Sequence, residues 1–455
     1  MDRESLTREY LAEVVASGAK ADELVGTQVR SAMLNTFYDS KYLSRPLFLG
    51  LAEQVRLHAD LENLRTALAA LPDRLFGGDF AAFSRAVGLN DLQVAAVLRG
   101  RGRSLTRQTR ADLYLDPSGF KLLELNIGSA VGGMDNADMC RSQLDHPVLA
   151  EFAERHGLGY VDTLREQVNN ILVESGFTRE DRPVVALTDW PGSYDKMLPY
   201  MELLCGRWAE LGLEAYPCHL GHLEARDGRV WLGDKPVDIV FRTFLIGDVL
   251  KGPEAPGLMD PVLDAAERGE VRIFTPMDSA AYASKGALAM LSDEGNRGLF
   301  TPEELASLDR ILPWTRMVRP GPVTLEGGER VDLVEYAVAH QQELALKPTS
   351  LSGGSGVVLG WAEDLAPQEW RELVTAALDG PFVVQRRIRP TPELFPDERG
   401  ELTSWTPLWG VFTSAAGYGG AFARATPESS GDVVVNVANG AHAGPVLQVT
   451  AAPER

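Results

Sequence analysis

The stretch from Arg110 to Asn126 constrains this chain more than any other. Ala111-Asp-Leu-Tyr-Leu reads as a strand, Asp116–Gly119 (Asp-Pro-Ser-Gly) as a tight turn by composition, and Phe120-Lys-Leu-Leu-Glu-Leu-Asn as the returning strand. Strand side chains alternate between faces, so Arg110 and Asp112 share a face of the first strand, as Glu124 and Asn126 do on the second. The turn lets the two sets converge. Two carboxylates and an amide oxygen form a hard oxygen cluster of the kind that holds Mg²⁺ while phosphates fill the remaining positions. A guanidinium at Arg110 could meet charge developing on a transferring phosphoryl group. Taken alone, the segment also suits a polar hairpin with solvated charges.

Three further segments carry chemistry. Lys347 ends an apolar strand, Leu344–Leu346, and precedes a loop, Ser352-Gly353-Gly354-Ser355-Gly356, whose backbone N–H groups and hydroxyls could surround phosphate oxygens. It is not a P-loop, because the lysine precedes the glycines; a flexible hairpin is the alternative. Ser284-Lys285 opens an apolar helix, Ala287–Leu291, where a lysine opposes the helix dipole and calls for a compensating anion. Phe382–Ile388 is a buried-type strand whose last residues, Gln385, Arg386 and Ile388, form a polar hinge before Pro390. Such a hinge offers an adenine ring an apolar slot and backbone at its edge, though an ordinary internal strand reads the same way.

The remaining chain supplies the frame. Residues 1 to about 100 read as successive helices; Leu51–Leu71, for instance, spaces apolar residues by three and four. Residues 183–275 alternate strand and helix, with strands at Val184–Asp189, Ala215–Pro217, Val230–Leu232 and Val237–Phe244, which predicts a largely parallel sheet. A second mixed region follows from Thr275, with another glycine-rich run at Gly417–Gly420.

The net charge of −20, from 64 acids against 44 bases, argues against a nucleic-acid ligand. Three scattered cysteines make neither a disulfide framework nor a zinc site. Met1-Asp-Arg-Glu lacks a signal-peptide pattern, and no apolar run approaches the roughly 18 residues of a membrane span. A cytoplasmic protein is the expectation.

In their order, the four segments resemble the ATP-grasp superfamily, and more closely its circularly permuted branch with eukaryotic-type glutathione synthetase and the synthetase domain of glutathionylspermidine synthetase. Arg110, Asp112, Glu124 and Asn126 look like the arginine and metal triad of the latter. Glu124-Leu-Asn-Ile-Gly-Ser129-Ala-Val-Gly-Gly looks like the matching glutathione synthetase stretch. The resemblance implies an α/β ATP-grasp fold with an inserted Rossmann-like subdomain. Its divisions would be an N-terminal helical region at 1–104, a metal-site segment at 105–182, the Rossmann-like unit at 183–275, and a nucleotide-binding region with lid at 276–455. It implies ATP and Mg²⁺ as cofactors, Lys285 and Lys347 on the phosphates, Ser352–Gly356 as the lid and Gln385–Ile388 as the adenine hinge. Ser129, Arg242 and Arg424 would orient the acid substrate. One departure is visible: Leu351 and Ser352 stand where glutathione synthetases place a further metal-binding acid.

The activity implied is an ADP-forming carboxylate–amine ligase working through an acyl phosphate, with small-molecule acid and amine substrates, an amino acid or small peptide among them. A homodimer is compatible. A nucleotide-binding regulator, or a kinase that stops at phosphoryl transfer, are the alternatives.

Overall fold

The computed structural model describes residues 2–25, 34–35, 38, 41–102, 104–250, 255–351, 353–431 and 434–450. The Arg110–Asn126 hairpin forms as strands Thr109–Asp116 and Gly119–Ile127, in a register that sets Arg110 opposite Asn126 and Asp112 opposite Glu124. The pairing shifts between Asp112 and Leu113, an irregularity directly beside the charged face.

This hairpin is one edge of an eight-stranded mixed sheet completed by the far end of the chain. Thr109–Asp116 pairs antiparallel with Leu402–Ser414, which pairs with Gly417–Pro427 and then His442–Val449. At the other edge Leu47–Leu49 adds a parallel strand against Val446–Gln448. That strand interrupts the expected run of helices. Its three residues are all buried between Pro46 and Gly50, too short a stretch to show an alternating pattern.

The N-terminal helices pack on this frame. In helix Leu51–Ala69, Leu57, Leu61, Leu64 and Leu68 are buried at spacings of three and four, in one core with Leu308 and Ile311 of helix Pro302–Ile311. Each such leucine stabilises the packing by about 2 kcal/mol. Arg310 Nη2 reaches Asp60 Oδ1 at 2.5 Å, and Arg74 Nη1 reaches Glu304 Oε2 at 2.8 Å, fixing the relative setting of the helices. A buried ion cluster also ties the start of the chain to strand Glu393–Pro396: Arg3 and Arg45 each stand 2.7 Å from an oxygen of Glu393, and Arg45 lies over the Phe395 ring at 4.4 Å.

The alternating region forms a four-stranded, wholly parallel sheet in the order Arg272–Phe274, Ile239–Arg242, Val184–Asp189, Glu214–His219. Val230–Leu232 does not join it. Those residues belong to strand Arg229–Leu232, the middle of a separate three-stranded antiparallel sheet, because tight turns flank it on both sides and no helix intervenes to carry a parallel crossover. A third sheet, antiparallel, runs Thr315–Met317, Phe382–Arg386, Leu344–Pro348, Val358–Leu359. Helices Leu333–Ala339 and Pro367–Ala376 cover one face of it through Ala337, Trp370 and Val374. The chain is thus the mixed α/β assembly expected, and no described helix is long and apolar enough to cross a membrane.

Candidate active site

Between the charged hairpin and the third sheet lies a cavity of about 1240 Å³. Arg110, Asp112, Glu124 and Asn126 enter from the hairpin, Lys285 from the start of helix Lys285–Leu291, and Lys347, Gln385, Arg386 and Ile388 from the third sheet and its hinge. Gly353 and Gly354 form one wall, and Arg424 reaches in from strand Gly417–Pro427.

Asp112 is the hub. Arg110 donates to it twice, Nε to Oδ1 at 2.7 Å and Nη2 to Oδ2 at 3.0 Å, and Arg424 Nη2 stands 2.9 Å from Oδ1. Asn126 Nδ2 adds a bond to Oδ2 at 3.2 Å. Burial alone would raise the Asp112 carboxyl, but the two guanidiniums overcome it and hold the group at about 2. Burial likewise opposes the charge on Arg110, and the Asp112 carboxylate outweighs it, raising Arg110 above its ordinary value. Arg110 also donates Nη1 to the Gly132 carbonyl at 2.8 Å. Room for its chain comes from Gly410, opposite Asp112 in the next strand, where a Cβ would stand 2.4 Å from the Phe422 ring and 3.1 Å from Arg110 Cδ. Phe422 lies under both arginines, its centroid 5.6 Å from Arg110 and 5.2 Å from Arg424.

Lys285 finds its compensating anion in Glu124, Nζ to Oε2 at 3.0 Å, and donates to the Leu351 carbonyl at 2.9 Å. Lys347 Nζ donates to Gln385 Oε1 at 2.5 Å, and Gln385 Nε2 in turn to Thr315 Oγ1 at 3.2 Å. Burial lowers the Lys347 ammonium to about 8, with Lys285 pushing the same way and Glu124 partly opposing. At the hinge, the N–H groups of Arg386 and Arg387 are already committed to the Trp314 and Glu343 carbonyls. Ile388 N–H has no backbone partner among the described residues and is therefore the hinge donor open to a ligand. In the glycine loop, Gly353, Gly354 and Gly356 all have positive φ, a conformation side chains resist. Asn436 Nδ2 latches the loop by donating to the Gly353 carbonyl at 2.7 Å, and Gly354 approaches Val434 so closely that a Cβ would sit 2.5 Å from its Cγ1.

Four expected residues do not line this cavity: Ser129, Arg242, Ser355 and Gly356; Ser352 lies outside the described residues. Arg242 is turned into the protein, donating to the carbonyls of Thr275, Phe244 and Pro276 and to Ser279 Oγ. Burial lowers it to about 10, with Asp278 and Asp248 partly offsetting. Ser129 Oγ donates to the Phe244 carbonyl at 3.4 Å. Conversely, Tyr114 and Thr426 line the cavity without having been singled out; each stands two residues beyond a chosen one, Asp112 and Arg424, so strand alternation alone would have found them.

Among the described residues no three His, Cys, Asp or Glu side chains stand together as a metal cage. Asp112, expected as a metal ligand, has both oxygens committed to Arg110, Arg424 and Asn126, which leaves Glu124 and the Asn126 amide oxygen as the local donor set. That suits Mg²⁺, which is commonly held by one or two carboxylates plus substrate phosphates.

No protein-family model matches the chain, and no curated protein does either. Among solved structures it is similar to a glutathione synthetase-like effector from Globodera pallida, in apo form, at 12% identity and a TM-score of 0.57, covering 98% of this chain and 97% of that one. That likeness shows a shared fold. A putative gamma-glutamylcysteine synthetase from Methylobacillus flagellatus matches over 81% of both chains at 13% identity, with a TM-score of 0.41, too low to establish one.

Proposed function

We propose that this chain is an ADP-forming, Mg²⁺-dependent ligase of the ATP-grasp type that joins a carboxylate to an amine. The carrying observation is the charge balance of the cavity floor. Arg110, Arg424, Lys285 and Lys347 bring four cationic groups against two carboxylates, Asp112 and Glu124, on a protein whose net charge is −20. Buried like charges in such excess are costly, and a polyphosphate is the ligand that relieves them. The glycine loop and the Ile388 N–H then take the remainder of a nucleotide, and the fold shared with a glutathione synthetase-like protein supports the reading.

A carboxylate does not release oxide or hydroxide to an amine at neutral pH. Transfer of the terminal phosphoryl group of ATP to the carboxylate makes a leaving group, phosphate, which the amine displaces. Lys347 and Lys285 position the phosphates, and Arg110 stabilises negative charge as it moves onto the transferred group. Asp112 keeps both arginines aimed and keeps Arg110 charged. Arg424 orients the acid, and the glycine loop excludes water that would hydrolyse the activated acid. When bound at Glu124 and Asn126, Mg²⁺ supplies neutralisation of phosphate charge.

The test is ADP release from ATP and Mg²⁺ over a matrix of carboxylic acids and amines. Release requiring both partners is expected. Release with the acid alone, in stoichiometric yield of an acyl phosphate, would make the protein a kinase instead.

A further inference from the structure

Behind Lys347, the third sheet carries a hydrogen-bond chain whose far member never reaches the cavity. Thr315 stands directly opposite Gln385, and Gln385 opposite Ala345, on three neighbouring antiparallel strands. Lys347 follows Ala345 by two, so all four side chains share one face. Lys347 Nζ donates to Gln385 Oε1, Gln385 Nε2 donates to Thr315 Oγ1, and Thr315 Oγ1 donates to the Pro313 carbonyl at 2.9 Å. Lys347 and Gln385 line the cavity; Thr315 lies behind them, 0% exposed.

The chain has one polarity. At its two ends, the Pro313 carbonyl can only accept and the Lys347 ammonium can only donate. The Thr315 hydroxyl gives its proton to Pro313 and is left to accept, which turns the Gln385 amide nitrogen back toward it and the amide oxygen toward Lys347. Without that hydroxyl the buried amide nitrogen loses this acceptor, and a rotation that seeks another carries Oε1 off the ammonium. An amide N–H turned toward Lys347 in its place would oppose the charge. The main chain of Thr315 is tied to the second lysine as well: its N–H donates at 2.9 Å to the hydroxyl of Ser292, the C-cap of helix Lys285–Leu291.

Resting on the ligase reading, we infer that Thr315 is a positioning residue: through Gln385 it aims the Lys347 ammonium at the phosphates, without touching any substrate. The charged groups that face Lys347 come from other elements. Lys285, from its helix, opposes the ammonium, and Glu124, from the hairpin, supports it; Arg110, Asp112 and Arg424 line the same cavity from the main sheet. Gln385 is the neutral acceptor on Nζ, and its setting depends on Thr315.

Two measurements on the full chain test this. Competitive acetylation of the nucleotide-free protein from neutral to alkaline pH, read by peptide mass spectrometry, follows Lys347 itself; calorimetry with a non-hydrolysable ATP analogue and Mg²⁺ follows its use. Lys347 titrates at about 8 in the wild type, lowered chiefly by burial. Thr315→Val, of the same shape without the hydroxyl, should lower that midpoint by about one unit and weaken the analogue about tenfold, the scale of one charge-assisted hydrogen bond. Thr315→Ser, which keeps the hydroxyl, should leave both at the wild-type value. An unmoved midpoint or unchanged analogue affinity in folded Thr315→Val, or a Thr315→Ser protein that shifts as far, would overturn the inference, since a packing role tolerates valine and suffers from serine. If the valine variant does not fold, Thr315→Ala carries the same expectation and the same refutation. ADP release is scored separately: the expected shifts without turnover over any acid and amine would keep this relay and remove the ligase. Turnover with an unmoved Lys347 midpoint in the variants would do the reverse.

Discussion

Arg424 and Arg242 look alike in sequence, each on a strand and each resembling a substrate-holding arginine, yet the fold sets them in opposite surroundings. Arg424 shares Asp112 with Arg110, lines the cavity and keeps a donor unmatched. Arg242 spends its guanidinium on three carbonyls and a hydroxyl. Its main chain is clasped as well, the Thr275 hydroxyl donating to the Arg242 carbonyl at 2.7 Å while Thr275 holds φ at 59°, a left-handed conformation that a β-branched residue resists. A buried arginine serves a ligand only where the fold leaves it an unanswered donor. Elsewhere it is a fastener.

The contrast can be broken by experiment. The largest effects belong to the charged hairpin: Arg110→Ala should lower ADP release by about a thousandfold or more, the scale of an arginine acting on phosphoryl transfer, and Glu124→Ala should abolish it at any practical Mg²⁺ concentration. Arg242→Met should instead cost stability, roughly 3 kcal/mol in urea denaturation, because several buried carbonyls lose their donor at once, with ATP affinity in the folded fraction unchanged. If Arg242→Met keeps full stability and loses substrate affinity, the division between the two arginines fails. Lys347→Ala should weaken ATP binding by about 1.5–3 kcal/mol in calorimetry. Arg424→Lys should raise the KM for the acid about tenfold and leave that for ATP alone, since lysine cannot reproduce a planar fork. The smallest effect is on pH. Lys347 is charged below about 8 in the free protein, so ATP affinity should be full below that pH and decline above it. The sign for stability is opposite: the unfolded chain holds the proton up to about 10.5, so this group makes the fold more stable as pH rises from 8 to 10.5. ATP affinity that is flat from pH 7 to 9 would remove Lys347 from phosphate binding.

The hairpin was legible as two strands and a turn because that information is local, but its register was not: counting back from the Asp116–Gly119 turn pairs Asp112 with Leu123, and the shift between Asp112 and Leu113 is what brings Glu124 opposite Asp112. Lys347 and Gln385, singled out by type and order, come together on adjacent strands of one small sheet and both line the cavity. The setting of Arg242 was not legible, because whether its donors face a ligand depends on the carbonyls of Thr275 and Pro276, which belong to another strand end. Nor was the Glu393 cluster, whose partners Arg3 and Arg45 stand 390 and 348 positions away and leave no periodic trace. Leu47–Leu49 needed its partner, Val446–Gln448, to declare itself a strand.

That long-range pairing has a consequence for how the protein is made. Strand Thr109–Asp116 leaves the ribosome almost 300 residues before Leu402–Ser414, the strand that covers its open side. Until then it exposes an unpaired edge, with Asp112 held by Arg110 and Asn126 but not by Arg424. Loop closure over such a span is slow, and bare edges recruit other chains. Synthesis halted before residue 400 should therefore yield aggregation rather than a soluble fragment, and the nucleotide binding proposed above should arrive abruptly, with the strands from Leu402 onward.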